Sequence, residues 1–408
     1  MIDKSAPISL ICKSATAAAV TAATLTGKSP TQLATGIASL VAGGVGIRTF
    51  TSYSFERNLL NPGAPFRFTA PGIDKSIRLG IRSGDTIQLM ATDPKGNQIP
   101  AGTGYVDESD THISPGTVEY VITGRDTLGQ LIDNAAIDKN NRIIPAANLT
   151  MSQILVSLIA NTRIPQQPVF QQADSGPMLF QTNVGETKMN ALQRYMEFTN
   201  TLIWTLPNGQ VILGKPNFVQ SSLGTLTVTP SASNILDCRV RRNTNNAIRR
   251  IVNQMQNGGQ IDPSAYTVNN QDADVQAVST SGAGRSVYRV FSYSEGFNSV
   301  NFFTQVANIP TPVNTLGAAY SYREIARENV QVLDIEVTVQ GHFNNNGILY
   351  DIDQIYSCNI PDENINQNMY VYSITHDLTI EHGMITKLKL CKLGTIVASA
   401  YALPKSGT

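Results

Sequence analysis

The sequence predicts a mainly β protein with α+β insertions: two related antiparallel β-barrel domains plus a small α+β module. Three observations predict it. Short apolar–polar alternations broken by Pro, Gly, Asn and Asp fill residues 49–124 and return in 330–396. Asn, Thr, Ser, Gly and Gln are abundant while Glu and Lys are sparse, a mix that suits strands and turns over long surface helices. Two stretches, 85–123 and 353–390, can be laid over each other, each reading strand, Pro-containing loop, strand, Gly-containing turn, strand.

A chain of 408 residues exceeds what one hydrophobic core serves, so several domains are expected. Residues 1–48 are rich in small residues and nearly free of aromatics, and read as an extension that orders against a partner, an assembly arm. A weak helix over Gln32–Val41 fits there, with Pro30 near its first turn. Lys4 before Ile8–Ile11 has the outline of a signal peptide, but Lys13 cuts the apolar run. No run of about 18 apolar residues occurs, so no membrane-spanning helix or membrane insertion is expected.

The first barrel is assigned to 49–124. Its strands are read over Phe50–Leu60, Phe66–Ala70, Asp85–Ala91, Gly104–Glu108 and Val118–Thr123, with a turn at Asp93-Pro94-Lys95-Gly96-Asn97. The α+β module is 125–216. Thr150 and Gln153 make a capping box before Met151, Ile154, Leu155, Leu158 and Ile159 at helical spacing. A second helix spans 186–199, followed by a hairpin carrying Leu202, Trp204, Val211 and Leu213 around Pro207-Asn208-Gly209. The second barrel is assigned to 217–256 with 330–396. Residues 257–329 are read as an insertion, low in pattern, with flexible joints at Gly258-Gly259 and Ser279–Gly284 and a helix over 316–328. Residues 397–408 are a C-terminal tail. In the overlay, Asp85-Thr86-Ile87-Gln88 falls on Asp353-Gln354-Ile355-Tyr356, and Gly116 falls near Gly383.

Chemistry is hard to find. Lys+Arg and Asp+Glu are equal at 30 each, so net charge marks neither nucleic acid nor membrane, and no specific nucleic-acid binding is expected. Arg239, Arg241, Arg242, Arg249 and Arg250 form a local excess, read as a solvated or interface strand face. Cys12, Cys238, Cys358 and Cys391 lack metal-ligand spacing and read as small, mostly buried apolar residues. His376-Asp377 with Glu381-His382 is the densest polar cluster and reads as a solvated hairpin end. Asp107, Glu108, Asp110 and His112 read as an exposed loop, because neighbouring residues of an extended segment alternate sides and do not converge on a sugar. Trp204, the single tryptophan, reads as core behind the hairpin. No phosphate loop, nucleophile elbow or His-Glu-x-x-His occurs. The expectation is therefore no catalytic, cofactor-binding or metal residue, no cofactor and no enzyme.

Several motifs together resemble the baseplate hub proteins of Mu-like contractile phages. They are Ser52-Tyr53-Ser54-Phe55-Glu56-Arg57 with Phe66-Arg67-Phe68, then Gly84-Asp85-Thr86-Ile87 and Gly102-Thr103-Gly104-Tyr105-Val106-Asp107. Gly124-Arg125-Asp126-x-x-Gly129-x-Leu131-Ile132-Asp133 is the sharpest. Gly185-Glu186-Thr187, Leu213-Gly214-Lys215-Pro216 and Val337–Gly341 after the 318–328 helix complete the set. The resemblance covers about 49–396. Residues 1–48, 257–312 and Asn344-Asn345-Asn346 depart from it.

The resemblance implies tail-tube-like barrels and a structural homotrimer in the virion tail baseplate, assembled in the host cytoplasm. The ring would adapt a six-fold tail tube to a three-fold central spike. The implied partners are the tail tube protein, a separate spike protein, the tape measure and baseplate wedge proteins, and other copies of this chain. The alternatives are a hub of a type VI-like or other contractile injection system, and a tail-associated cell-wall hydrolase, which a peptidoglycan assay separates from a hub. A secreted adhesin is disfavoured by the missing signal peptide.

Overall fold

A computed structural model describes residues 8–13, 45–47 and most of 50–396. Its longest omissions inside that span are 270–284 and 294–324, and only the backbone is described in the strands between 248 and 293. The helix expected over 32–41, most of that over 316–328, and the 397–408 tail lie outside the described residues.

The fold is mostly β, with antiparallel sheets and few helices. In chain order the first part runs β1 (Ile8–Lys13), β2 (Val45–Ile47), β3 (Ser52–Asn58), β4 (Pro65–Pro71), α1 (Lys75–Gly80), β5 (Thr86–Thr92), β6 (Gln98–Ser114) and β7 (Thr117–Asp126). The middle runs α2 (Gly129–Asp133), β8 (Ala147–Leu149), α3 (Met151–Ile159), β9 (Val169–Phe170), β10 (Met178–Phe180), α4 (Lys188–Thr199), β11 (Leu202–Thr205) and β12 (Val211–Gly214). The last part runs β13 (Thr225–Thr227), β14 (Asp237–Arg242), β15 (Ile248–Asn257), β16 (Gln260–Asn269), β17 (Arg285–Tyr293), β18 (Leu333–Gln340), β19 (Gln354–Ile360), β20 (Ile365–Thr379) and β21 (Gly383–Lys392).

One 13-stranded sheet carries most of these, in the order β14-β18-β21-β20-β3-β4-β7-β6-β5-β1-β2, with β19 on β20 and β13 on β19. Within it one antiparallel order occurs twice. β4-β7-β6-β5 at one end is repeated as β18-β21-β20-β19 at the other. β3 flanks β4 as β14 flanks β18. Both long central strands carry an extra residue against their hairpin partner, Asp107 in β6 and Tyr372 in β20. Both hairpins turn at a left-handed glycine, Gly116 (φ +81°) and Gly383 (φ +67°). The turn at 93–97 closes as its sequence dictates: the Asp93 carboxylate accepts from the Lys95 and Asn97 amides at 2.9 and 2.7 Å.

The two ends bury different cores. Phe55, Phe66, Phe68, Ile87, Leu89 and Ile122 fill the first, with Phe55 and Phe66 stacked at 5.5 Å. Gly102, Gly104 and Gly124 lie against those rings, where a Cβ would sit 2.3–2.7 Å from ring carbons. The second core runs from β18–β21 into the helical module. There Thr150 caps α3 through both bonds of a capping box, and Met151, Ile154, Leu155 and Leu158 face inward as their spacing predicts. β11 and β12 are buried on both faces, so the hairpin is an inner layer of the module.

Three expectations are corrected. Ile8–Lys13 and Val45–Ile47 are strands of this chain's own sheet: β1 covers the outer edge of β5 from Ile8↔Ala91 to Lys13↔Thr86. The alternation Ile8, Leu10, Cys12 supplies a strand, and an open β5 edge needs one. Residues 257–293, read as low in pattern, hold β16 and β17. β15, expected in the large sheet, pairs with these two in a three-stranded sheet. Only two residues separate Asn257 from its partner Gln260, so β16 meets β15 before any distant strand can compete. Finally, 107–114 is a strand and not a loop.

Candidate functional site

The two repeated strand sets meet where β3 lies antiparallel on the C-terminal half of β20, from Ser373↔Asn58 to Leu378↔Tyr53. This seam holds a buried polar cluster. Thr386 donates its hydroxyl proton to the Gly341 carbonyl at 2.7 Å. Its oxygen therefore accepts from the other two neighbours, His342 Nδ1 at 2.9 Å and His376 Nδ1 at 3.1 Å. In the neutral ring a protonated Nδ1 leaves His342 Nε2 as an acceptor, to which the Tyr53 hydroxyl donates at 2.6 Å. Proton counting fixes both Nδ1 atoms as donors, and burial keeps both imidazoles neutral, holding His342 down at about 4 and His376, whose Nε2 has no partner among the described residues, well below its ordinary value. Burial, with Asp377 nearby, pushes the Tyr53 phenol far up.

His376 was expected at a solvated hairpin end, but it is fully buried, and Asp377 is nearly so, paired with Lys387 at 2.8 Å. The extra residue Tyr372 is the reason: it reverses the in–out phase of β20, turning His376 onto the core face with Phe55 opposite. Glu381 and His382 stay exposed at the turn, so the four do not converge.

Arg57, at the end of β3 and almost fully buried, forks between two elements. One terminal nitrogen donates to Asp351 and the other to the Thr205 carbonyl of β11. Burial outweighs this partner's attraction and lifts the Asp351 carboxyl to about 6. Asp126 is lifted to about 6 in the same way while accepting from the Leu128 amide at 2.9 Å. The 124–133 motif becomes legible in these terms. A Cβ on Gly124 would lie 1.9 Å from the Tyr105 carbonyl oxygen. Arg125 clamps Asp107 and Asp133, with Nε 2.7 Å from Asp107 and Nη1 3.0 Å from Asp133. Asp126 turns the chain into α2.

These groups position sheets. Among the described residues no three His, Cys, Asp or Glu side chains gather as metal ligands, and no helix is long and apolar enough to cross a membrane. Cys358 and Cys391 are buried thiols, each pushed up to about 12 by burial, and Cys238 is half-buried. Trp204 is buried in the module core. Arg239, Arg241 and Arg242 line β14, the end strand of the sheet, with Arg242 paired to Glu363. The side chains of Arg249, Arg250 and Cys12 lie outside the described residues.

No family model and no curated protein matches the sequence. Solved structures do match. A tail protein from Neisseria meningitidis MC58 aligns at TM-score 0.65 and 19% identity, over 88% of this chain and 97% of that one. The 43 kDa tail protein of prophage MuSo2 from Shewanella oneidensis aligns at 0.65 and 16%, over 87% and 96%. A Francisella PdpA–VgrG complex aligns at 0.54 and 10%, over 98% of this chain and 53% of that one. At these identities the likeness is one of fold. This chain shares the fold of these two tail proteins over 87–88% of its length.

Proposed function

We propose that the chain is a structural, non-catalytic baseplate hub of a contractile tail. Three copies form a ring that adapts a six-fold tube above to a three-fold spike below. The observation that carries this reading is the repeated strand order, β4-β7-β6-β5 and β18-β21-β20-β19, within one chain. Two similar units per chain give six per trimer, so a three-fold ring presents a pseudo-six-fold face. The units are two related barrels, 49–124 with β1 and β2 added, and 217–242 with 330–396. The tail-protein fold supports the placement in a virion tail. The part of residues 1–48 beyond β1 and β2 is proposed as the assembly arm toward a tube or baseplate neighbour. A type VI-like hub is the second reading, supported by the alignment of 98% of this chain with the PdpA–VgrG complex.

Light scattering with negative-stain imaging tests the proposal. Three-chain particles with a central hole are expected. A chain that stays monomeric at high micromolar concentration, with no ring on adding tube or spike protein, overturns it. Cleavage of peptidoglycan by the purified protein would replace it with the hydrolase alternative.

A further inference from the structure

We infer that the ring closes by pairing the outer edge of β6, residues 108–113, with β14 of a second copy, in the register that β3 already uses on β20. The inference rests on the ring reading above and names the two edges that make it.

The chain contains its own template. β3 of the first strand set covers six residues of β20 in the second, just beyond the extra residue Tyr372. The matching stretch of β6 begins just beyond the extra residue Asp107. Its inner edge pairs with β7, but β5 covers β6 no further than Tyr105, so among the described residues no strand covers the outer edge of 108–114. The counterpart of β3 is β14. It ends the sheet, and among the described residues its only strand partner is β18. One vacancy and one unpaired strand of matching position remain, at opposite ends of the sheet. They cannot satisfy each other within one chain without undoing the sheet between them. A head-to-tail contact between copies satisfies both, and it closes where the rotation allows.

The register can be transferred. β3 and β14 are matched through β4 and β18, which pairs Phe55 with Val240 in position and Arg57 with Arg242. On β20, Phe55 faces His376 and Ser54 faces Asp377. Carried over to β6, Val240 faces Thr111, Cys238 faces Ile113 and Arg241 faces Asp110. The chemistry then sorts by face. On one face Asp110 opposes Arg241 with Glu108 diagonal to it, and Arg239 opposes His112 with Asp110 diagonal to it, all exposed in the single chain. On the other, Ile113, 70% exposed and without cover, meets the half-buried Cys238 and Val240. Asp107 does not compete for these arginines, because Arg125 holds it. The facing Asp110–Arg241 pair and its diagonal neighbours favour this register, and a slip by one residue would set Arg239 and Arg241 against the face of Ile113, while Arg242, opposite Ser109 on that face, is held by Glu363.

Ile113→Cys tests the register directly, since it places a thiol opposite the native Cys238. Mild oxidation should give linked dimers and trimers on non-reducing gels, and Cys238→Ser added to it should abolish them. Reversing one side, Glu108→Lys with Asp110→Lys, should weaken trimerisation at least about tenfold, and Arg239→Glu with Arg241→Glu should do the same. Combining the two pairs should recover most of the loss. If wild type is a trimer, Ile113→Cys gives no linked species and the reversals change nothing, the edge pairing is wrong and the ring reading survives. If wild type is monomeric and Ile113→Cys gives no linked species, both fall. If a monomeric chain is nonetheless linked, the edge contact stands and the ring is lost.

Discussion

His342 and His376 approach edge to face with ring centroids 4.6 Å apart, and both donate to one oxygen, that of Thr386. Neither ring has room for a positive charge, so the pair works only as two neutral donors held by one hydroxyl. Thr386→Val keeps the shape and removes that hydroxyl. Two buried N–H groups and the Gly341 carbonyl would lose their partner, at about 2–4 kcal/mol. Thr386→Ser should cost much less. Urea unfolding measures both, and a Val variant as stable as wild type would mean that the seam is not held by this hydroxyl.

The same pair sets a pH dependence. Its folded values lie below the ordinary 6.5, so as pH falls through 6.5 the unfolded chain takes up protons that the native chain refuses. Stability is lost from neutral pH downward. Asp126 and Asp351 oppose this. Their folded values of about 6 let the native chain take up protons between about 6 and 3.8, which favours it as pH falls. The histidines therefore show best between pH 7.5 and 6, where a net loss of about 1 kcal/mol is expected. His376→Leu should have a shallower slope over that window, whatever its absolute stability. An unchanged slope would contradict the assignment.

Arg57→Met should cost about 3 kcal/mol at neutral pH, because it strands the half-buried Asp351 carboxylate and frees the Thr205 carbonyl. The deficit should shrink as pH falls toward 5, since Asp351 can then be buried neutral. Adding Asp351→Asn should recover part of the loss. Additive costs in the double variant would show that the two side chains do not depend on each other.

Much of this architecture was legible in the sequence, and the misses share a cause. The 93–97 turn, the Thr150 cap and the 202–213 hairpin depend on neighbours within a few residues, so local chemistry announces them. The burial of His376 depends on one extra residue at Tyr372, which inverts a side-chain phase that otherwise reads plainly. β1 was read as part of a partner-bound arm because its partner, β5, lies some 75 residues away, and Ile8, Leu10 and Cys12 look the same whether the edge they cover is their own or another protein's. The seam was invisible because Tyr53, His342, His376 and Thr386 come from four separate segments.

Gly124→Ala separates close packing from turn strain. Its Cβ would meet a carbonyl oxygen at 1.9 Å and the Phe66 ring at 2.5 Å, and the oxygen belongs to a paired backbone that cannot yield cheaply. A loss of about 3 kcal/mol or more is expected. Gly116→Ala meets open space, so it carries only the cost of a left-handed turn, about 1–2 kcal/mol. Equal melting temperatures for the two variants would contradict this account of the 124–133 motif.

Deletion of residues 2–45 tests what β1 does. Leu10 is fully buried in the first core, and β1 covers β5 along six paired positions. Without it, the core opens beside Ile87 and Leu89, and β5 becomes a further uncovered edge of a sheet in which β14 and the outer edge of 108–114 are already uncovered among the described residues. An uncovered strand with a hydrophobic face pairs with whatever strand it meets. The truncated chain should melt lower and form irregular aggregates in place of a uniform species. Leu10→Asp separates the two effects: it keeps the covering strand but opens the core, so it should lower the melting temperature with less aggregation than the deletion. A truncated chain that melts like wild type and stays a single species would show that β1 is dispensable to the fold, and would leave residues 1–48 with the assembly role alone.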